Sequence, residues 1–151
     1  MATCISHSPD ETAALGEQWA RAAESGLVIG LSGDLGAGKT QLVKGMARGL
    51  GIAARVHSPT FALVNIYNGG RLTLFHLDLY RLETRQQIAA AGLEDYLSPA
   101  GVTVIEWAER WFGDGQGPKS AAIGQPQPIR MVHLEVLSET ERRISYEDPG
   151  T

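Results

Sequence analysis

The chain has 151 residues, an apolar content of 43% and a formal net charge of −4 at pH 7. This length suits a single domain spanning residues 1–151, and the acidic balance argues against a protein that binds nucleic acid alone, because such proteins normally carry a basic face. The one cysteine, Cys4, cannot form an internal disulfide, and the sequence shows neither a signal-peptide pattern nor a run of ~18 apolar residues, so we expect a cytoplasmic protein without membrane contact.

The first predicted element is an N-terminal helix that begins at Ser8 and extends to about Glu24. Ser8 is a suitable N-cap, Pro9 fits the first helical position, and Glu11 stands where a capping box places its carboxylate. Trp19 lies on the apolar face of this helix, so we expect it to anchor the core.

The next segment contains a phosphate-binding motif. Residues 33–40, GDLGAGKT, fill every fixed position of the pattern G-x-x-x-x-G-K-[ST]. The apolar run 27–31 predicts a strand before it, and the periodicity of residues 41–50 predicts a helix after it. In such a loop the backbone N–H groups cradle phosphates, Lys39 reaches the β- and γ-phosphates, and the Thr40 hydroxyl binds Mg²⁺. The predicted nucleotide-binding residues here are Gly33, Asp34, Leu35, Gly36, Ala37, Gly38, Lys39, Thr40 and Gln41.

Beyond residue 50 the pattern predicts five strands and one short helix. Asn68-Gly69-Gly70 is a strong hairpin turn, and Thr84 is a suitable helix N-cap. The Gly- and Pro-rich segment 113–129 predicts a mobile loop. The strands are expected at 61–67, 72–79, 102–107, 130–137 and 142–147, and the helix at 84–91. With the P-loop, these elements predict an α/β P-loop NTPase fold: a central, mostly parallel sheet with antiparallel edge strands and flanking helices.

Two acidic residues end predicted strands and are candidates for the other half of the site. Asp78 ends one apolar strand and Glu106 ends another. A P-loop needs a carboxylate near its Mg²⁺, usually at a strand end, so both are candidate metal ligands beside Thr40. His76 shares a strand face with Asp78, and a hydrogen-bonded structural role is favoured for it over a catalytic one.

ATP is the expected nucleotide. GTPases usually recognise guanine with the motif N-K-x-D, and none of the three lysines, at positions 39, 44 and 119, is followed two residues later by Asp. The sequence therefore disfavours guanine selectivity.

Four short motifs follow the P-loop in order. They are His57-Ser58-Pro59-Thr60-Phe61, His76-Leu77-Asp78-Leu79-Tyr80-Arg81, Gly92-Leu93-Glu94-Asp95-Tyr96-Leu97 and Ile105-Glu106-Trp107. Together with the P-loop they resemble the TsaE family, the small bacterial ATPases of tRNA threonylcarbamoyladenosine biosynthesis. The resemblance covers about residues 8–112. The segment 113–129 matches no motif of that family, and the C-terminal strands match only in general pattern.

The resemblance implies a protein that binds ATP and Mg²⁺, hydrolyses ATP slowly and resets the TsaB–TsaD complex, which transfers the threonylcarbamoyl group to tRNA and would itself hold the tRNA. It implies that Ser58 contacts the nucleotide and that Thr60 acts near the γ-phosphate in a switch-like loop. Asp78 and Glu106 are expected near Mg²⁺ and the attacking water, with their direct contacts left open. The implied catalytic residues are Lys39, Thr60, Asp78 and Glu106.

Two other functions are compatible with the sequence. A small-molecule kinase needs a second substrate pocket and a lid with arginines; Arg81 and Arg85 could serve, although 113–129 contains no Arg. A nucleotide-gated binding module would bind ATP and change shape without releasing phosphate. ATPase assays with and without acceptor molecules separate these functions.

Overall fold

A computed structural model describes residues 2–33, 37–53, 55–56, 63–82, 84–97, 99–112 and 129–147. A short 3₁₀ helix at Leu93–Leu97 accompanies the regular elements. The strands are β1 Ala2–Ser6, β2 Val28–Gly33, β3 Val64–Tyr67, β4 Leu74–Asp78, β5 Val102–Glu106, β6 Ile129–Val136 and β7 Arg142–Glu147. The helices are α1 Pro9–Ala22, α2 Lys39–Gly49, α3 Arg85–Ala90 and α4 Glu109–Phe112.

The described strands form one sheet in the order β1-β7-β6-β2-β5-β4-β3. Strands β6, β2, β5 and β4 run parallel, whereas β7, β1 and β3 pair antiparallel at the two sides. This order confirms the expected α/β fold with a parallel centre and antiparallel edges. Strands β2 and β5 are buried along their whole length, as expected where both faces of a parallel sheet are covered.

The core has two parts, one on each face of the sheet. One cluster joins α1 and α2 to the sheet and includes the predicted core residue Trp19. The other joins α3, the 3₁₀ helix and α4 to the opposite face, around Ile88 and Ile105. Helices α1 and α2 approach closely through glycines, since a Cβ added at Gly45 would collide with the carbonyl of Ala13. This packing fixes the helix that follows the P-loop.

Local hydrogen bonds set the ends of α1. The Ser8 hydroxyl accepts from the backbone N–H of Glu11 at 3.1 Å, which confirms Ser8 as N-cap. The expected return bond of the capping box differs, because the Glu11 carboxylate accepts from the N–H of His7 at 2.9 Å. At the other end, the Arg71 guanidinium donates to the carbonyls of Ala20 and Ala23 at 2.6 and 2.9 Å, which stabilises the helix C-terminus.

Several element bounds differ from the sequence prediction. Strand β1 and helix α4 were not predicted, and β6 begins one residue earlier than expected, at Ile129. The hairpin at Asn68-Gly69-Gly70 is confirmed by the antiparallel pairing of β3 and β4. Residues 61–62 of the predicted strand and 113–128 of the predicted loop lie outside the described residues. Among the helices that are described, none is long and apolar enough to cross a membrane.

Candidate nucleotide site

The candidate site lies at the carboxyl edge of the sheet, where β2, β4 and β5 end side by side. The strand register pairs Leu31 of β2 with Glu106 of β5, and Glu106 with Asp78 of β4. Open α/β sheets bind their ligands at this edge. Helix α2 begins at Lys39, a few residues after β2 ends, so its N-terminus belongs to the same site.

The described part of the P-loop has the backbone shape that its glycines permit. Gly33 and Gly38 adopt φ values of 138° and 100°, a region that favours glycine. A Cβ at Gly33 would also collide with the carbonyl of Leu134 on the adjacent strand. Ala37 is buried beside them, and residues 34–36 lie outside the described residues. The glycine spacing of the motif is therefore required by the local backbone.

The N-terminus of α2 is suited to an anion. Its N-cap, Gly38, provides no side-chain hydrogen bond, and no acidic residue stands in the first turn. The first N–H groups of a helix have no partners within the helix, and the helix dipole adds partial positive charge there. Thr40 and Gln41 follow Lys39 in this first turn, so all three predicted residues stand at an end of α2 where phosphate binding is favourable.

Lys39 is held inside the site by its neighbours. Its side chain is only 5% exposed. The Nζ atom donates to the carbonyl of Gly33 at 2.5 Å and lies 4.0 Å from the centroid of the Trp107 ring. Trp107 has a φ of 61°, an unusual value for a bulky residue. With this backbone conformation directly after Glu106, the Trp107 ring lies near the Lys39 ammonium.

Glu106 joins the P-loop to β4. The carboxylate is buried, and its Oε1 and Oε2 atoms accept from the Thr40 hydroxyl at 3.2 and 3.1 Å. Oε2 also lies 2.6 Å from Nε2 of His76, which is fully buried. The structure therefore brings together a residue from the P-loop helix and one from each of two strands. The hydrogen-bonded position of His76 agrees with the role that the sequence favoured.

Asp78 is the neighbour of Glu106 on the next strand. Its Oδ1 accepts from the backbone N–H of Tyr80 at 3.0 Å. Burial raises the pKa of the Asp78 carboxyl, and the charge of Glu106 adds to this rise, while the Tyr80 N–H, His76 and Lys39 oppose it. The carboxylates of Asp78 and Glu106 thus lie together near the Lys39 ammonium, and the Asp78 carboxyl holds its proton more tightly than usual.

The donor set fits Mg²⁺ held jointly with phosphates. Thr40, Asp78 and Glu106 offer the oxygen atoms that hard cations prefer. Within the described ranges, no three His, Cys, Asp or Glu side chains form a self-contained metal cluster. Mg²⁺ usually needs only one or two carboxylates together with substrate phosphates, so the residues present are compatible with it.

An aromatic and cationic cluster beside this site was missed by the sequence analysis. The rings of Tyr80 and Trp107 lie 5.1 Å apart, and the Arg110 guanidinium carbon is 5.6 and 5.5 Å from their centroids. Arg110 belongs to α4, a helix too short to produce a periodic signal. Ser58 and Thr60, which the resemblance implies at the γ-phosphate, lie outside the described residues.

Comparisons with known proteins converge on one family. The family model described as "Threonylcarbamoyl adenosine biosynthesis protein TsaE" matches residues 6–144. The chain is 40% identical over 142 residues to the tRNA threonylcarbamoyladenosine biosynthesis protein TsaE of Treponema pallidum, and the match covers 94% of this chain and 97% of that relative. For the same-named protein of Bacillus subtilis, the identity is 46% over 101 residues, covering 67% of this chain and 63% of the relative.

A solved structure supports the same conclusion about the fold. The crystal structure of Bacillus subtilis YdiB matches with a TM-score of 0.76 and 33% sequence identity. The match covers 99% of this chain and 86% of that one, so the likeness includes the sheet and the elements around the P-loop.

Proposed function

This chain belongs to the TsaE family of threonylcarbamoyl adenosine biosynthesis proteins, and we propose that it acts in tRNA threonylcarbamoyladenosine modification as a Mg²⁺-dependent ATP hydrolase. The contact between the Thr40 hydroxyl and both carboxylate oxygens of Glu106 carries this proposal. A P-loop hydroxyl beside a strand-end carboxylate is the pairing with which P-loop NTPases hold their metal. The absence of an N-K-x-D motif favours ATP over GTP.

In the proposed reaction, Lys39 and the N-terminus of α2 bind the phosphates. The Lys39 ammonium exchanges its contacts with Gly33 and the Trp107 ring for the β- and γ-phosphate oxygens. Backbone N–H groups in the first turn of α2 orient the chain of phosphates, with Gly33 and Gly38 allowing the close approach. Mg²⁺ supplies neutralisation of the charge on the β- and γ-phosphate oxygens when it is bound.

The two carboxylates divide the metal and water chemistry. Thr40 and Glu106 would hold Mg²⁺, with Asp78 acting on it directly or through water. Alternatively, Glu106 orients the attacking water while Asp78 serves the metal. Both assignments use groups that share one edge of the sheet, because Asp78 and Glu106 are register neighbours.

The partner proposed for this ATPase is the TsaB–TsaD pair. ATP binding and hydrolysis would reset that complex between turnovers, and tRNA would be held by the partners, in keeping with a net charge of −4. Ser58 and Thr60 would sense the γ-phosphate. A ligand shifts a conformational equilibrium only by its differential affinity, so ATP and ADP must give different affinities for the complex.

The test combines hydrolysis with partner binding. Phosphate release is measured for the purified chain alone and with TsaB–TsaD, and affinity for the pair is titrated in ATP, ADP and no nucleotide. We expect hydrolysis, and a nucleotide-dependent affinity that differs by about 5- to 150-fold, the usual range for coupled sites. ATP binding without phosphate release would instead indicate a nucleotide-gated binding module, and phosphate transfer to a small acceptor would indicate a kinase.

A further inference from the structure

His76 is a polar residue in a place where the fold alone would favour an apolar one. It lies in the middle of β4, between neighbours Phe75 and Leu77, and none of its surface is exposed. Burying an imidazole is unfavourable unless its polar atoms form hydrogen bonds. One of its nitrogens has such a bond, to Glu106, whereas Nδ1 has no hydrogen-bonding partner within the described residues.

The geometry determines what the imidazole does for Glu106. The 2.6 Å contact joins Nε2 to Oε2, so a neutral ring with its proton on Nε2 donates to the carboxylate and leaves Nδ1 as the unprotonated atom. An unpaired acceptor is less costly to bury than an unpaired N–H, which favours this tautomer. Oε1 and Oε2 both lie within hydrogen-bonding distance of the Thr40 hydroxyl, so the carboxylate contacts Thr40 and His76 at once.

We propose that His76 is a positioning residue that fixes the Glu106 carboxylate toward Thr40 and thereby sets the affinity of this site for Mg²⁺. The proposal rests on the proposed function, because it assigns His76 a task at the same metal site. A carboxylate held from one side by an imidazole N–H has one preferred rotamer, so its oxygens are already oriented when the cation arrives. Removing a hydrogen-bonding partner of a metal ligand typically weakens metal affinity by ~10- to 100-fold.

The contacts of His76 favour a positioning role over direct catalysis. The ring is fully buried, with the Tyr67 ring tilted by 31° at a centroid distance of 6.4 Å, and its one described polar contact is the carboxylate. His76 therefore acts through Glu106.

Isothermal titration calorimetry with a non-hydrolysable ATP analogue tests this role. The analogue is titrated in EDTA and in saturating Mg²⁺. The dissociation constant in EDTA divided by that in Mg²⁺ measures how much the metal, held by the protein's side chains, strengthens binding of the analogue. The variants are His76→Leu, His76→Gln and His76→Asn. Gln carries an amide N–H near the place of Nε2, whereas the Asn amide is too short to reach Glu106. Leu74→Val is the control for core damage, because Leu74 is fully buried and lies two residues before His76 on the same strand.

We expect His76→Leu and His76→Asn to lower the ratio by roughly 10-fold or more, with affinity in EDTA unchanged, and His76→Gln to recover most of it. Leu74→Val should keep the wild-type ratio. If His76→Leu does not fold, the comparison of Gln with Asn decides. Wild-type ratios in all the His76 variants, or an equal loss in Leu74→Val, would overturn the positioning role of His76 but not the proposed metal site. A wild-type protein with no Mg²⁺-dependent tightening would instead overturn the proposed metal site.

Discussion

Replacing Glu106 with Gln should separate chemistry from folding at this site. The substitution keeps the shape of the side chain and removes its charge. The carbonyl oxygen of Gln accepts from His76 Nε2, and the amide nitrogen lies where it donates to the Thr40 hydroxyl, which then acts as an acceptor. Because each described hydrogen bond of the buried carboxylate has a replacement, we expect the free energy of unfolding to change by only about 1 kcal/mol.

Turnover should respond far more strongly than stability. A group that positions or activates the nucleophile contributes at least ~10²-fold to the rate, which corresponds to about 2.7 kcal/mol of transition-state stabilisation. The experiment measures phosphate release at saturating ATP, analogue affinity with and without Mg²⁺, and thermal unfolding. If Glu106 is a metal ligand, the Mg²⁺-dependent gain in affinity falls together with kcat. If Glu106 orients the water, kcat falls alone.

A folded Glu106→Gln variant that hydrolyses ATP at the wild-type rate would refute the assignment of Glu106. Asp78→Asn is the matched comparison, since Asp78 is its register neighbour on β4. Wild-type hydrolysis in both variants would refute the role of the whole carboxylate pair.

Three further predictions address binding, stability and pH. Lys39→Ala should reduce ATP affinity by at least ~10-fold in calorimetry while the far-ultraviolet circular dichroism stays unchanged, because Lys39 is the cation placed for the phosphates; unchanged affinity would contradict this. Arg71→Met should lower the free energy of unfolding in urea by about 1–3 kcal/mol, because it leaves the carbonyls of Ala20 and Ala23 without their cationic donor; no loss would show that water replaces it. The raised pKa of Asp78 means that the folded state binds the carboxyl proton more tightly than the unfolded state does. Protonation of Asp78 therefore stabilises the fold. This stabilisation is complete below the ordinary aspartate pKa of about 3.9 and is lost as pH rises through the pKa of the folded state. Asp78→Asn should therefore gain stability relative to wild type as pH rises across that window, and parallel stability curves from urea titrations at several pH values would refute the sign.

The sequence by itself determined the features whose physics is local. The glycines and lysine of residues 33–40 identified the P-loop, and the backbone at Gly33 and Gly38 uses the conformations that only glycine adopts readily. Ser8 and Thr84 predicted two helix starts because an N-cap needs only a hydroxyl three residues from its donor. The turn at residues 68–70 predicted the β3–β4 hairpin, because a tight turn, like an N-cap, depends only on residues that are close in sequence.

Only the tertiary structure decided the features that join distant segments. Strand β1 is five residues long, and its pairing with β7 links residues about 140 positions apart, so no local pattern predicted it. The sequence identified Asp78 and Glu106 as strand-end acids but left their contacts open. The order of the sheet placed β5 between β2 and β4, and this position brings Glu106 against both Thr40 and His76. The partners of a buried carboxylate depend on which strands are neighbours, and strand order is set by packing across the whole sheet.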